Sequence, residues 1–180
     1  MELQPHFALM ASYNQWMNAK VYEAASKLSA AELIEDRGAF FGSIFGTLNH
    51  IVVADTIWLK RFAAHPSSAA TLAVMEPLPT PTHLNQRLFD DMQGLSAHRH
   101  WLDSVIINWV AALTDDDLDT LLSYHNTKGV ASTRSYSRLI NHFFNHQTHH
   151  RGQVSTLLSQ AGIDIGVTDL LALIPEEVEI

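Results

Sequence analysis

Asn145-His146-Gln147-Thr148-His149-His150-Arg151-Gly152-Gln153, with His142 just ahead of it, is the stretch on which the reading of this chain turns. Four histidines fall within nine residues, and His142, His146 and His150 recur at every fourth position. On an α-helix, residues three and four apart share a face, with Cβ atoms about 5–6 Å apart. Two imidazoles so spaced can grip one metal ion. The H-E-x-x-H metalloproteases use the same spacing, although the glutamate of that motif has no counterpart here. Around the stretch, Leu139, Ile140, Phe143, Phe144, Val154, Leu157, Leu158 and Ala161 form a stripe that faces a core. At roughly 100° per residue, His150 lies about 40° and His146 about 80° from the centre of that stripe. His142 and His149 fall well past it, so periodicity directs His146 and His150 inward and leaves the other two on the flank.

Two histidines do not complete a site. Catalytic zinc takes three protein ligands in most cases and keeps one position open. A third ligand has to come from another helix, and His50 is the candidate, the only histidine in an otherwise apolar helical segment. The wheel of that segment does not settle its direction. His50 shares a narrow stripe with Val53, Ala54 and Ile57, whereas the larger apolar stripe points it away from the centre.

Working outward, four long helical patterns emerge. Residues 5–28 carry Phe7, Met10, Ala11, Met17, Val21 and Leu28 at helical spacing, with Pro5 suited to a first helical position. Ser29-Ala30-Ala31-Glu32 is a capping box opening a short turn to about Ile34, and residues 35–42, with two glycines, read as a loop. Ser43 can cap a second long helix to about Ala64, apolar almost all the way round. Residues 65–81 hold Pro66, Pro77, Pro79 and Pro81 and make a long crossover connection. A third helix is expected from Thr82 to Leu113, and Thr114-Asp115-Asp116-Asp117 opens a short acidic turn. Residues 120–136 alternate around Asn126-Thr127-Lys128-Gly129 as a β-hairpin does. The fourth long helix spans residues 137–160, with Gly162 as its C′ residue. The apolar tail 163–180 is expected to pack against the body. The expected fold is all-α: one domain over residues 1–180, a four-helix bundle with a long crossover and a small hairpin before the last long helix.

Composition narrows the function. The chain has 180 residues, 47% of them hydrophobic, and a net charge of −8, which disfavours a binder of nucleic-acid backbones. Eleven histidines stand beside no cysteine, so imidazole rather than thiolate would hold any metal. Neither a signal peptide nor an apolar run of the roughly 20 residues that span a bilayer is evident, and a cytoplasmic location is expected. His6, His65, His83, His98, His100 and His125 read as solvated residues. His98-Arg99-His100 reads as a polar face and Asp55 as a structural residue, while Arg151 is expected to pair with a carboxylate. Gly152 would let a neighbouring group approach closely.

The run NHQTHHRGQ at 145–153 resembles the C-terminal signature of the DinB family. Two further landmarks agree: Gly46-Thr47-Leu48-Asn49-His50 followed by Ala54-Asp55 and Trp58-Leu59, and Ala11-Ser12-Tyr13-Asn14 with Trp16 and Asn18. The resemblance covers nearly the whole chain, including residues 162–171. It implies a four-helix bundle, often dimeric, and a divalent metal held by His50, His146 and His150. Only the last two were reached by the wheel. If His50 faces inward, the larger stripe of its helix needs another cover, and a homodimer interface would supply it. The family is related to thiol-dependent transferases and isomerases, so the resemblance implies a metal-dependent enzyme that moves sulfur from a low-molecular-weight thiol to an electrophile, or a related hydrolase. Zinc or nickel comes first as the metal, then iron or manganese, and a small-molecule substrate with a thiol cosubstrate is the expected partner. The alternative is a non-catalytic metal-binding protein of stress response. No catalytic residue is assigned.

Overall fold

The computed structural model describes residues 2–176. Among these there are six α-helices, two short 3-10 turns and one antiparallel pair of strands. The four long helices are α1 (Leu3–Ala25), α3 (Ile44–Phe62), α4 (Met92–Ala111) and α6 (Tyr136–Gln160). The short α2 (Ala30–Ile34) and α5 (Asp115–Leu118) lie between them, and β1 (Leu121–His125) pairs with β2 (Ala131–Ser135) from Leu121↔Ser135 to His125↔Ala131. α1 packs against α4 and α6, and α3 against α6 and α4.

Local chemistry sets the ends of these elements. Ser29 and Glu32 close the capping box of α2, and Thr114 and Asp117 close that of α5. Asp115 does more: its Oδ1 accepts from the amides of Leu3 (2.8 Å) and Gln4 (2.9 Å), so the start of α1 is capped by a residue distant in sequence. α1 therefore begins two residues before Pro5. Proline is tolerated there because amides in a first turn have no helical partner. At the other end of the molecule, Gly162 (φ +79°) lets Ile163 donate to the Leu158 carbonyl and its own amide to Ser159, which ends α6 in a Schellman motif.

The third long helix is shorter than its periodicity suggests. It starts at Met92, not Thr82, because Asp91 caps it by accepting from the Gly94 amide at 2.8 Å. Residues 82–91 are irregular, and Asn49 holds them: its side chain donates to the Gln86 carbonyl and accepts from the Leu88 amide at 2.9 Å. A side chain that satisfies two backbone groups competes directly with helix formation. The tail also differs from expectation. Ile165, Leu170 and Leu173 pack against the core, but Val167, Leu171 and Ile174 are exposed. Residues 177–180 of the expected tail lie outside the described residues.

α3 is covered within a single chain. Leu48, Val52, Leu59 and Phe62 on one side and Ile51 and Val53 on another are all essentially inaccessible. Part of the cover is the connection after α3, where Leu72 and Met75 are fully buried and Ser68 bonds Tyr136 and Trp109. A second copy is thus not needed to bury the larger stripe of α3.

The core holds charges as well as hydrocarbon. Arg99 pairs with Asp55 from α3 and lies 3.0 Å from Asp103. Asp103 accepts from Asn18 (2.8 Å) and Asn14 (3.2 Å) of α1. Arg151 of α6 donates to Asn14, Asn18 and Gln147. All these side chains are buried. Two expectations are corrected here: Arg99 is not on a polar face, and Arg151 bonds amide oxygens rather than a carboxylate. Removing one member strands its partners in a low dielectric, at a cost of about 3–5 kcal/mol. Asp103→Ala is therefore expected to lower the thermal midpoint by on the order of 10 °C, read by circular dichroism. An unchanged midpoint would show that the network contributes nothing to stability.

Candidate metal centre

His50 lies in the second turn of α3, and His146 and His150 lie one turn apart on α6. Their Nε2 atoms converge. Nε2 of His146 is 3.4 Å from that of His50 and 3.1 Å from that of His150, and ligand atoms of all three lie within 4.8 Å of one another. Zinc–imidazole bonds of about 2.0–2.1 Å at tetrahedral angles put two nitrogens about 3.3 Å apart. The spacing therefore suits one metal ion bound among them.

The outer nitrogens fix how two of these rings present themselves. Nδ1 of His50 donates to the Leu84 carbonyl at 2.8 Å, and Nδ1 of His150 to Oε1 of Gln153 at 2.7 Å. A carbonyl oxygen only accepts, so each Nδ1 carries the proton and each Nε2 keeps its lone pair for the centre. Phe41 stacks on His50, with ring centroids 3.7 Å apart, and meets His150 edge-on.

Electrostatics favours the same state. Burial lowers the pKa of His50 to about 4, with a smaller push from His150. Burial also lowers His146 to about 3, assisted by the charges that His150, His50, His142 and His149 would carry. His150 is lowered too, chiefly by burial. All three are neutral at pH 7, the form in which imidazole binds a metal.

The conflict over His50 is resolved by packing. Its helix is buried on several faces, so pointing away from the larger apolar stripe still leaves it inside, only 2% exposed. His142 and His149 are exposed, on the flank where the wheel places them. Their rings approach His146 at 6.1 Å and His150 at 4.9 Å, respectively. Asp55 is structural, as expected, and belongs to the arginine network. His65 departs from expectation: it is buried, stacked on Tyr136, with its ring nitrogens bonded to Ser67 and Thr120. Gly152 has open space where a Cβ would stand, so no close approach explains it.

Three contributors escape a reading by motif. Leu84 acts through its carbonyl, which carries no sequence signal, and it lies where helix was expected. Phe41 lies in a loop nine residues before His50. Gln153 is three residues after His150 on one helix, a spacing that could have shown it. Gly46 explains why Phe41 can come so close. A Cβ there would overlap the Phe41 carbonyl oxygen, a backbone atom with little room to move.

A mainly helical protein in which two buried histidines and one half-buried one, all neutral, can hold a metal ion is the class these observations define. The DinB family model matches residues 3–177, and the chain belongs to the DinB family. Protein DinB of Bacillus subtilis (strain 168) is 27% identical over 157 residues, covering 87% of each chain. No solved structure matches the chain.

Two outcomes follow for the isolated protein. The histidine pKa values are depressed on folding, so the folded state binds fewer protons than the unfolded chain between about pH 6.5 and pH 4. Metal-free protein should lose stability as pH falls through that window, and His146→Leu should flatten the loss in thermal melts across it. Gly46→Ala should cost about 1–3 kcal/mol in denaturant titrations, because the Phe41 backbone has to move. A smaller cost would mean that the loop yields freely.

Proposed function

We propose that this DinB-family protein is a divalent-metal-dependent enzyme whose ion is held by His50, His146 and His150. The convergence of three Nε2 atoms, two of them aimed by bonds at Nδ1, carries the reading. Among the described residues no fourth histidine, cysteine or carboxylate joins the group. Structural zinc sites are closed by four protein ligands, whereas catalytic ones keep a position open, which favours catalysis over a purely structural or sensory ion. His146 is only half-buried, so solvent reaches the edge of the cluster.

When bound, the ion supplies Lewis acidity, which lowers the pKa of a water or thiol that reaches it. The protein's own residues do the rest. Leu84 and Gln153 hold the tautomers, Phe41 covers one side, and burial keeps protons off the ligand nitrogens. Thiol transfer to an electrophile is the reaction class we favour, with hydrolysis second, and both come from the family relationship. Zinc or nickel is the first choice of metal, because imidazole suits either. The four long helices are read as the family's four-helix bundle in a single domain. Homodimerisation belongs to this reading by family resemblance alone, since α3 needs no partner to cover it. No described helix is long and apolar enough to cross a membrane.

The test is the metal content of untagged protein purified without an immobilised metal, beside His146→Ala. About one divalent ion per chain is expected in the parent and little in the variant. Added metal at 100 times its Kd should also stabilise the parent by about 2.7 kcal/mol. If the parent carries no metal and refuses it on titration at neutral pH, the enzyme reading falls.

A further inference from the structure

Beside the histidine cluster lies a cavity of about 500 Å³, and none of the three histidines lines it. Its walls are Trp58 of α3, Tyr124 of β1, Arg134 of β2, and Arg138 and His142 of α6. The arginines there stand apart from the others in the chain. Arg37 and Arg87 each approach a carboxylate, Arg99 has Asp55 and Asp103, and Arg151 has amide oxygens. Among the described residues no carboxylate comes within ion-pair distance of Arg134, Arg138 or Arg61. Arg134 donates only to Ser132, and Arg61 lies over Trp58 (4.7 Å) and Tyr124 (5.2 Å) from behind the cavity wall. In a chain of net charge −8, two guanidinium groups without carboxylates line one aromatic-walled hollow, and a third lies against its aromatic residues.

We propose that this cavity is a substrate subsite for a small organic anion, a carboxylate or phosphate monoester with a flat or apolar body. Arg134 and Arg138 take the anionic end, since a guanidinium fork matches either group bidentately. Trp58 and Tyr124 cover the body. His142 joins the subsite to the metal centre: it lines the cavity, its ring meets Trp58 edge-on at 5.2 Å, and it lies 6.1 Å from the ring of His146. Arg138 precedes His146 by two helical turns, about 12 Å along the axis, which is the span of one small molecule. Assigning the subsite to the reaction rests on the metal-enzyme reading, but binding of the anion does not.

The test uses phenyl phosphate, benzoate and neutral benzyl alcohol as probes. Binding is followed by NMR at the Trp58 indole, identified through Trp58→Phe. The anions should shift that resonance, more weakly at high salt, and benzyl alcohol at equal concentration should not. Arg134→Ala/Arg138→Ala should weaken anion binding by roughly tenfold or more, the weight of one charge-assisted hydrogen bond, without changing the melting temperature. Arg134→Lys/Arg138→Lys should recover part of it. Tighter phenyl phosphate assigns the subsite to phosphate esters, and tighter benzoate to carboxylates. His146→Ala should leave probe binding intact, so a protein that takes the anion but no metal keeps the subsite and loses the enzyme. Equal binding of benzyl alcohol, undiminished binding by the Ala/Ala variant, or no shift from either anion would overturn the proposal.

Discussion

A neutral set of buried charges ties the four long helices together, and the geometry of the histidine cluster depends on it. Asp55 comes from α3, Arg99 and Asp103 from α4, Asn14 and Asn18 from α1, and Gln147 and Arg151 from α6. A stripe of hydrocarbon tolerates rotation by some tens of degrees because dispersion contacts are non-directional. An arginine that must meet amide oxygens in the core does not. Gln147 and Arg151 each directly follow a histidine of the cluster, so the contacts that orient them also orient His146 and His150. Such networks add little net stability relative to hydrocarbon of the same volume, and here the network acts mainly on registry.

The histidines are then prepared by the irregular parts of the chain. The backbone of residues 82–91, held by Asn49, delivers the Leu84 carbonyl to His50. The loop before α3 delivers Phe41 to the face of the same ring, and Gly46 leaves room for it. Asn49 and His50 are neighbours in sequence, so one turn of α3 both anchors the loop and presents the ring that the loop orients. This coupling explains why a segment that looks helical is irregular: its backbone groups are engaged by a side chain before a helical ladder can claim them.

Burial sets the chemistry of the histidine cluster. It lowers the proton affinity of the three imidazoles, which suits them to a cation that competes with protons. On the far side of His142 the surroundings reverse, and guanidinium groups without carboxylates stand around an aromatic hollow. α6 contributes to both the histidine cluster and the anion-accepting cavity, with Arg138 two turns before His146 and His142 between them. A substrate that bridges them would place its charge away from the ion and its reacting end toward it.

Much of this protein is legible in its residues alone. Helical periodicity located four long helices, Ser29 announced its capping box, Thr114 opened the acidic turn, Gly129 marked the hairpin turn, and Gly162 ended α6. The wheel alone selected His146 and His150 from four histidines, because three- and four-residue spacing on one helix is a local property. What required the tertiary structure was every relation between distant segments. Periodicity could not orient His50, because a helix buried on several sides has no single inward face. Nor could it show Arg99 buried, His65 satisfied by Thr120, Asp115 capping α1 or Leu84 serving through its carbonyl. Those outcomes depend on which groups meet across the fold, and a backbone oxygen or a compensated charge leaves no mark in the pattern of apolar residues.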